Sequence, residues 1–321
     1  MKKCTVIILA LLMLTLPLMS GYSGKDDGRL KVVCTVFPQY DWVREILGDR
    51  AGDIEPTLLL KNNIDLHSYQ PTVDDMVKIS SCDLLIYVGG ASDGWVADAL
   101  KEAKNKNMTV INLMDVLGHA LKEEEFVEGM EDCDADDGED GEAEYDEHVW
   151  LSLRNARIFC PVITSALSAL DSDNAGEYQD NMTAYVEKML ALDAEYQAAA
   201  DAAAVKTLLF GDRFPFRYLV DDYGLDYYAA FPGCSAETEA SFKTIINLAE
   251  KVDELGLKTV MVTESSDKSI AQTIINNTAA KNQRILVLDA MQSVTANDVK
   301  RGTTYLSIME SNLGVLKEAL S

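Results

Sequence analysis

The chain has 321 residues, 48% hydrophobic and 25% charged, a globular balance that argues against wholesale disorder and leaves room for one large domain or two ordinary ones. Its 53 acidic and 28 basic residues give a formal charge of −25, which repels phosphate backbones and anionic headgroups and so argues against nucleic acid as a partner, leaving cations as the natural counter-charge. Any imidazole chemistry must draw on three histidines, His67, His119 and His148.

The chain opens with a basic Met1-Lys2-Lys3 and an apolar run from Cys4 to Met19, the pattern of a secretory signal over 1–21. Met19-Ser20-Gly21-Tyr22 looks like a lipobox with Tyr22 where the lipid-accepting cysteine belongs. A phenol cannot form the thioether, so the mature chain is either released or anchored by an uncleaved signal, and extracytoplasmic in both cases. Residues 22–30 read as a tether. Apolar runs at 31–37, 56–60, 83–88 and 109–113 read as strands, as do 206–210, 227–231, 258–263 and 285–289 after a gap, with helical patterns such as 40–47, 97–104 and 239–255 between them. Continuous apolar runs alternating with helices imply parallel sheets buried on both faces. Four strands, a gap and four strands predict an α/β protein of two lobes, 31–172 and 205–321, each a roughly four-stranded parallel sheet flanked by helices.

Residues 173–204 fill the gap. Tyr178, Met182, Tyr185, Met189, Leu192 and Tyr196 recur at spacings of 4 and 3, one apolar stripe on a helix, with Asp173 or Asn174 as its cap. About 28 helical residues at ~1.5 Å rise reach roughly 42 Å, enough to join the lobes rigidly. Residues 122–147 are of another kind: from 123 to 147 there are fifteen Asp or Glu and no Lys or Arg. No periodicity survives there, so a solvated loop is expected, acting either as a solubility device or as a collector of cations.

In open parallel sheets ligands bind beyond the carboxyl ends of the strands. Four polar groups fall there: His67 after the second strand, His148 after the acidic segment, Asp212 after the fifth strand and Glu264 after the seventh. Two imidazoles from the first lobe and two carboxylates from the second make a plausible divalent metal site in the cleft. Beyond the signal there are five cysteines, Cys34, Cys82, Cys133, Cys160 and Cys234. They cannot all pair, no CxxC spacing occurs, and a cysteine-based zinc site is not expected. Cys34 and Cys82 read as small buried hydrophobes.

These segments carry a resemblance. Asp65-Leu66-His67-Ser68-Tyr69-Gln70-Pro71, Tyr87-Val88-Gly89-Gly90 with Trp95, His148-Val149-Trp150-Leu151-Ser152, Tyr223-Gly224-Leu225 and Thr304-Tyr305-Leu306 with Asn312-Leu313 are similar to motifs of the metal-binding solute-binding proteins of bacterial zinc and manganese ABC transporters. The resemblance covers nearly the whole mature chain. It implies His67 and His148 as the first two metal ligands and Glu264 as the acidic fourth, with Asp267 as its neighbouring alternative. At the third position this chain departs: the family's ligand falls on Arg213, which has no lone pair to offer. Asp212 is one residue earlier and serves only if the chain has already turned at Gly211, because neighbouring strand residues face opposite ways. Otherwise Arg213 faces the cleft and pairs with Glu264 or Asp212. The resemblance implies zinc as cargo, with manganese or iron as the alternative, held by a monomer and delivered to a membrane permease. That permease is driven by an ATPase on another polypeptide, since no Walker A motif occurs here. A surface adhesin or a metal buffer without a transport role is the rival of another class. No HExxH or GxSxG occurs, so an enzyme is not expected.

Overall fold

The eight apolar runs form eight strands in two sheets in the computed structural model, which describes residues 28–61, 64–130, 144–235 and 239–321. β1 (Lys31–Cys34), β2 (Glu55–Leu58), β3 (Leu84–Tyr87) and β4 (Thr109–Asn112) build the first, and β5 (Thr207–Phe214), β6 (Asp226–Pro232), β7 (Thr259–Thr263) and β8 (Arg284–Leu288) the second. Every pairing is parallel, and the orders β2-β1-β3-β4 and β6-β5-β7-β8 repeat one topology. Central strands are apolar because helices cover both faces: β7 is buried at all five positions. In both sheets the order reverses beside the first strand, so a crevice opens beyond the carboxyl ends of each.

Helices α1 (Phe37–Leu47), α2 (Val73–Ser81), α3 (Val96–Lys101), α4 (Leu113–Leu117) and α5 (Leu153–Leu170) belong to the first lobe. The linking helix α6 spans Ala175–Ala202, and the residues it buries include all six of the predicted stripe, with Ala200 as a seventh. Its N-cap residue Asn174 makes no side-chain cap bond. The Asn174 amide donates instead to Asp171, which also accepts from the Tyr178 hydroxyl, so a short 3-10 turn replaces the expected cap.

In the second lobe lie α7 (Arg217–Tyr223), α8 (Phe242–Leu255), α9 (Ser269–Asn277), α10 (Ala296–Lys300) and α11 (Tyr305–Ala319). The last of these returns across the joint. The Tyr305 amide donates to Asp41 on α1 at 2.7 Å, the Tyr305 hydroxyl donates to the carbonyl of Trp150 at 2.9 Å, and the Tyr196 hydroxyl donates to the Met309 carbonyl at 2.6 Å. One apolar core therefore runs from the first sheet through α5, α6 and α11 into the second lobe, and a smaller one lies between the second sheet, α8 and α9. The lobes share packing as well as a covalent link.

β5 runs four residues beyond its predicted end, through Gly211. A side chain at Gly211 would stand 2.6 Å from the backbone of Ala271 on α9, so glycine is what lets the strand continue under that helix. Residues 1–27, with the predicted signal and most of the tether, lie outside the described residues, as do 131–143 of the acidic segment. Among the described residues no helix is long and apolar enough to cross a membrane.

Candidate metal centre

His67 sits on a 3-10 turn (Leu66–Ser68) beyond β2, where Asp65 caps the turn by accepting the His67 amide at 3.0 Å. His148 precedes a second such turn (Val149–Leu151), and Asp146 accepts its amide at 2.7 Å. These turns bring two residues that are 81 apart in sequence to an Nε2–Nε2 separation of 3.1 Å. Each ring is oriented from behind. The His148 Nδ1 lies 3.1 Å from the Asp146 carboxylate, and the His67 Nδ1 lies 2.8 Å from the Ser92 hydroxyl and 3.6 Å from Glu147. At His148 the carboxylate behind Nδ1 favours the proton there and turns Nε2 toward His67. The two Nε2 atoms then face each other in the cleft, where a hydrogen bond or a shared cation can join them.

The surroundings supply the complementary field. Burial disfavours charge on His148, which is fully buried, but Asp146, Glu147 and Asp65 outweigh it and raise its affinity for a proton. Burial, and then the neighbouring His148, push His67 down to about 3. The pair therefore takes up one positive charge and resists a second. Glu147 Oε2 is buried with no hydrogen-bond partner among the described residues and lies 3.6 Å from the His67 Nδ1.

The second lobe contributes differently from expectation. Asp212 stays at the sheet: its Oδ2 accepts the Thr263 amide at 2.9 Å and the Thr263 hydroxyl at 2.7 Å, and its Oδ1 accepts the Arg213 amide. The physical reason is that β5 has not ended at Gly211, so consecutive side chains still diverge and Arg213 takes the cleft side. The Arg213 guanidinium pairs with neither Glu264 nor Asp212. It bridges the lobes to Asp65 at 2.8 Å and donates to the Ser235 carbonyl at 3.3 Å. Glu264 stands in the same cleft near Arg213 and Gly233. Its carboxylate accepts the amides of Ala290, Gln292 and Ser293 at 2.8, 2.9 and 3.3 Å. Asp267 is exposed and accepts the Ser269 amide at the start of α9, and His119 is exposed on a 3-10 turn (Gly118–Ala120).

The donors that converge are His67, His148 and Cys234, one ligand atom of each lying within 4.8 Å of the others. Sequence reasoning missed Cys234, because the search for cysteine sites looked for paired spacings. The legible signal was indirect: an arginine, which has no lone pair to offer, stands at 213. Cys34, Cys82 and Cys160 are buried in the core, as expected for the first two.

The described ends of the acidic segment are ordered. Glu123 bridges Tyr145, Asp146 donates its amide to Lys122, and the Tyr218 hydroxyl donates to the Asp146 carbonyl. Glu125 pairs with Arg217 and Glu128 with Lys251, so the segment entering the loop is tied to the second lobe while both of these carboxylates stay exposed.

Two parallel α/β lobes, a shared helical joint and an oriented imidazole pair in the crevice define a two-lobed solute-binding protein of the rigid-helix type. The family profile described as "Zinc-uptake complex component A periplasmic" (ZnuA) matches residues 32–319, and the chain belongs to that family, a family of transport components rather than enzymes. The chain is 32% identical over 320 residues to the zinc-binding lipoprotein AdcA of Streptococcus pneumoniae, covering 99% of this chain and 61% of that protein. It is 28% identical to the high-affinity zinc uptake system protein ZnuA of Bacillus subtilis, covering 94% of this chain and 90% of the relative. Against the AdcA proteins it spans about three fifths of their length. The solved Zn(II)-bound ZnuA-like domain of S. pneumoniae AdcA superposes with a TM-score of 0.70 at 28% identity, over 91% of this chain and 99% of that one. The metal-dependent lipoprotein YcdH of B. subtilis superposes with a TM-score of 0.73 at 26% identity, over 91% and 99%.

Proposed function

We propose that this protein captures zinc outside the cytoplasm and hands it to the permease of an ABC transporter. The observation that carries the reading is the 3.1 Å approach of two Nε2 atoms whose rings are oriented from behind by Asp146 and Ser92. Two nitrogens bound at ~2.0–2.1 Å to one tetrahedral ion lie roughly 3.3 Å apart, so the pair is already near the spacing of one edge of a zinc site. The zinc-binding and zinc-uptake names of the relatives support the same ion. In this reading His67 and His148 are ligands from the first lobe, and Glu264 is the acidic group of the second lobe at the cleft. Asp212 serves the sheet.

The remaining parts fit around that site. Segment 1–21 directs export, 22–30 is a tether, lobes 31–172 and 205–321 are joined by 173–204, and the acidic residues of 122–147 gather cations near His148. The protein acts as a monomer, and the permease and ATPase are separate chains. Titration calorimetry on chelator-treated protein tests the core of this: one equivalent of Zn²⁺ binds tightly, and His67→Ala abolishes that binding. Zinc at ~100-fold over its Kd adds about 2.7 kcal/mol to the unfolding free energy. Tight binding that survives His67→Ala refutes the assignment. Deleting the gene should slow growth only when zinc is scarce, and unchanged growth there refutes the transport role.

A further inference from the structure

We infer that the Cys234 sulfur is the third donor to the ion held between His67 and His148, and that the site accordingly selects a thiophilic divalent ion, zinc, over manganese. This rests on the metal-binding reading above and deepens it.

The placement of the sulfur carries the argument. It lies within 4.8 Å of a donor nitrogen on each imidazole, and together they form the one such cluster found among the described residues. Cys234 follows β6, so it supplies from the second lobe what neither Asp212 nor Arg213 supplies from β5. The loop that bears it is held on several sides. A side chain at Gly233 would stand 2.9 Å from the Phe214 carbonyl and 3.1 Å from the His148 ring, so this glycine lets the loop press directly against the ligand. The Cys234 amide donates to Glu124 at 3.0 Å, the Glu147 amide faces the sulfur, and Arg213 grips the next residue through the Ser235 carbonyl. Arg213 thus occupies the position of a missing ligand and helps to seat the loop that replaces it.

Charge points the same way. Glu124, Asp146 and Glu147 all face the sulfur. That ring of carboxylates favours a cation at this point of the cleft. On binding, the S–H proton leaves to solvent, the sulfur–metal bond forms, and a 2+ ion in a site with one thiolate retains a net single positive charge. Imidazole and thiolate together suit Zn²⁺ and its heavier congener Cd²⁺, whereas Mn²⁺ prefers carboxylate and water oxygens.

The experiment is a Co²⁺ titration of the full, chelator-treated chain followed by absorbance, with Zn²⁺ and Mn²⁺ affinities measured on the same protein. Wild type is expected to show an ultraviolet sulfur-to-cobalt charge-transfer band that saturates at one equivalent, and to bind Zn²⁺ far more tightly than Mn²⁺. In Cys234→Ser the band disappears, Zn²⁺ affinity falls by roughly 100-fold with the loss of one soft donor, and Mn²⁺ affinity barely moves. Stoichiometric Co²⁺ binding by wild type without the band overturns the cysteine assignment and leaves the metal-binding reading standing. So does a band that persists in Cys234→Ser, which would place the sulfur on another cysteine such as Cys133. A wild-type chain that binds none of the three ions overturns both readings. Protection of Cys234 from alkylation by stoichiometric Zn²⁺, read by mass spectrometry on the unmutated chain, is the second expected result, and equal alkylation with and without zinc refutes the contact independently of any variant's folding.

Discussion

Asp146 and Gly233 act on His148 from beside the ring, one through its carboxylate and the other through its missing side chain. Asp146 accepts the amide and faces the Nδ1 of His148, so one carboxylate sets both the turn and the tautomer. Groups placed this way behind a metal-ligating histidine typically account for 10–100-fold in affinity. Asp146→Asn keeps the shape and removes the charge, and Zn²⁺ affinity should fall by about tenfold or more while circular dichroism stays unchanged; undiminished affinity would mean that the turn alone orients the ring. Gly233→Ala places a methyl group 2.9 Å from a backbone oxygen and 3.1 Å from His148, so the loop must shift. The expected result is weaker zinc binding together with a loss of about 1–3 kcal/mol in stability, as for other overpacked sites, read by calorimetry and urea unfolding.

At the scale of elements, α6 and β5 decide how the lobes meet. Met189 lies fully buried at the middle of the α6 stripe. Met189→Ala removes its packing from the joint and should cost about 2–5 kcal/mol by denaturant titration, with the smaller figure if the surroundings collapse into the space. A cost below that range would show that the joint rests on α5 and α11 more than on the linking helix. On β5, the register with β6 shifts between Phe210 and Arg213, and it is beyond this irregularity that Arg213 reaches across to Asp65. β5 continues through Gly211 because a glycine in a strand marks close backbone approach as readily as it marks an end.

Taken as a whole, the molecule carries a buried titratable carboxyl at its joint. Asp41 on α1 is 1% exposed and accepts the Tyr305 amide of α11, and burial, with a lesser push from Glu45, raises its carboxyl to about 7. An unfolded aspartate titrates near ~3.9. Between about pH 4 and pH 7 the folded chain therefore holds a proton that the unfolded chain has released, so this group's contribution to stability falls as pH rises through that window. The slope is at most about 1.4 kcal/mol per pH unit, lost fully only above the folded value. Asp41→Asn should flatten the decline in unfolding free energy between pH 5 and pH 7.5, measured by urea titration at each pH on metal-free protein. Parallel curves for variant and wild type would show that Asp41 ionises in the folded state as it does in solution.

Much of this protein was legible along the chain because short-range rules govern it. Apolar runs of four to eight residues, the stripe from Tyr178 to Tyr196 and the turns around His67 and His148 are local patterns, and each determined its element or its place at a strand end. The tertiary structure alone decided which side chains meet. Asp212 and Arg213 are adjacent in sequence, and only the persistence of β5 turned one onto Thr263 and the other across the cleft to Asp65. Cys234 carries no spacing signal, since the two imidazoles beside it lie 86 and 167 residues away, both in the other lobe. Periodicity records the burial of one element's own faces. It carries no information on which loops two separately built sheets bring to a common point.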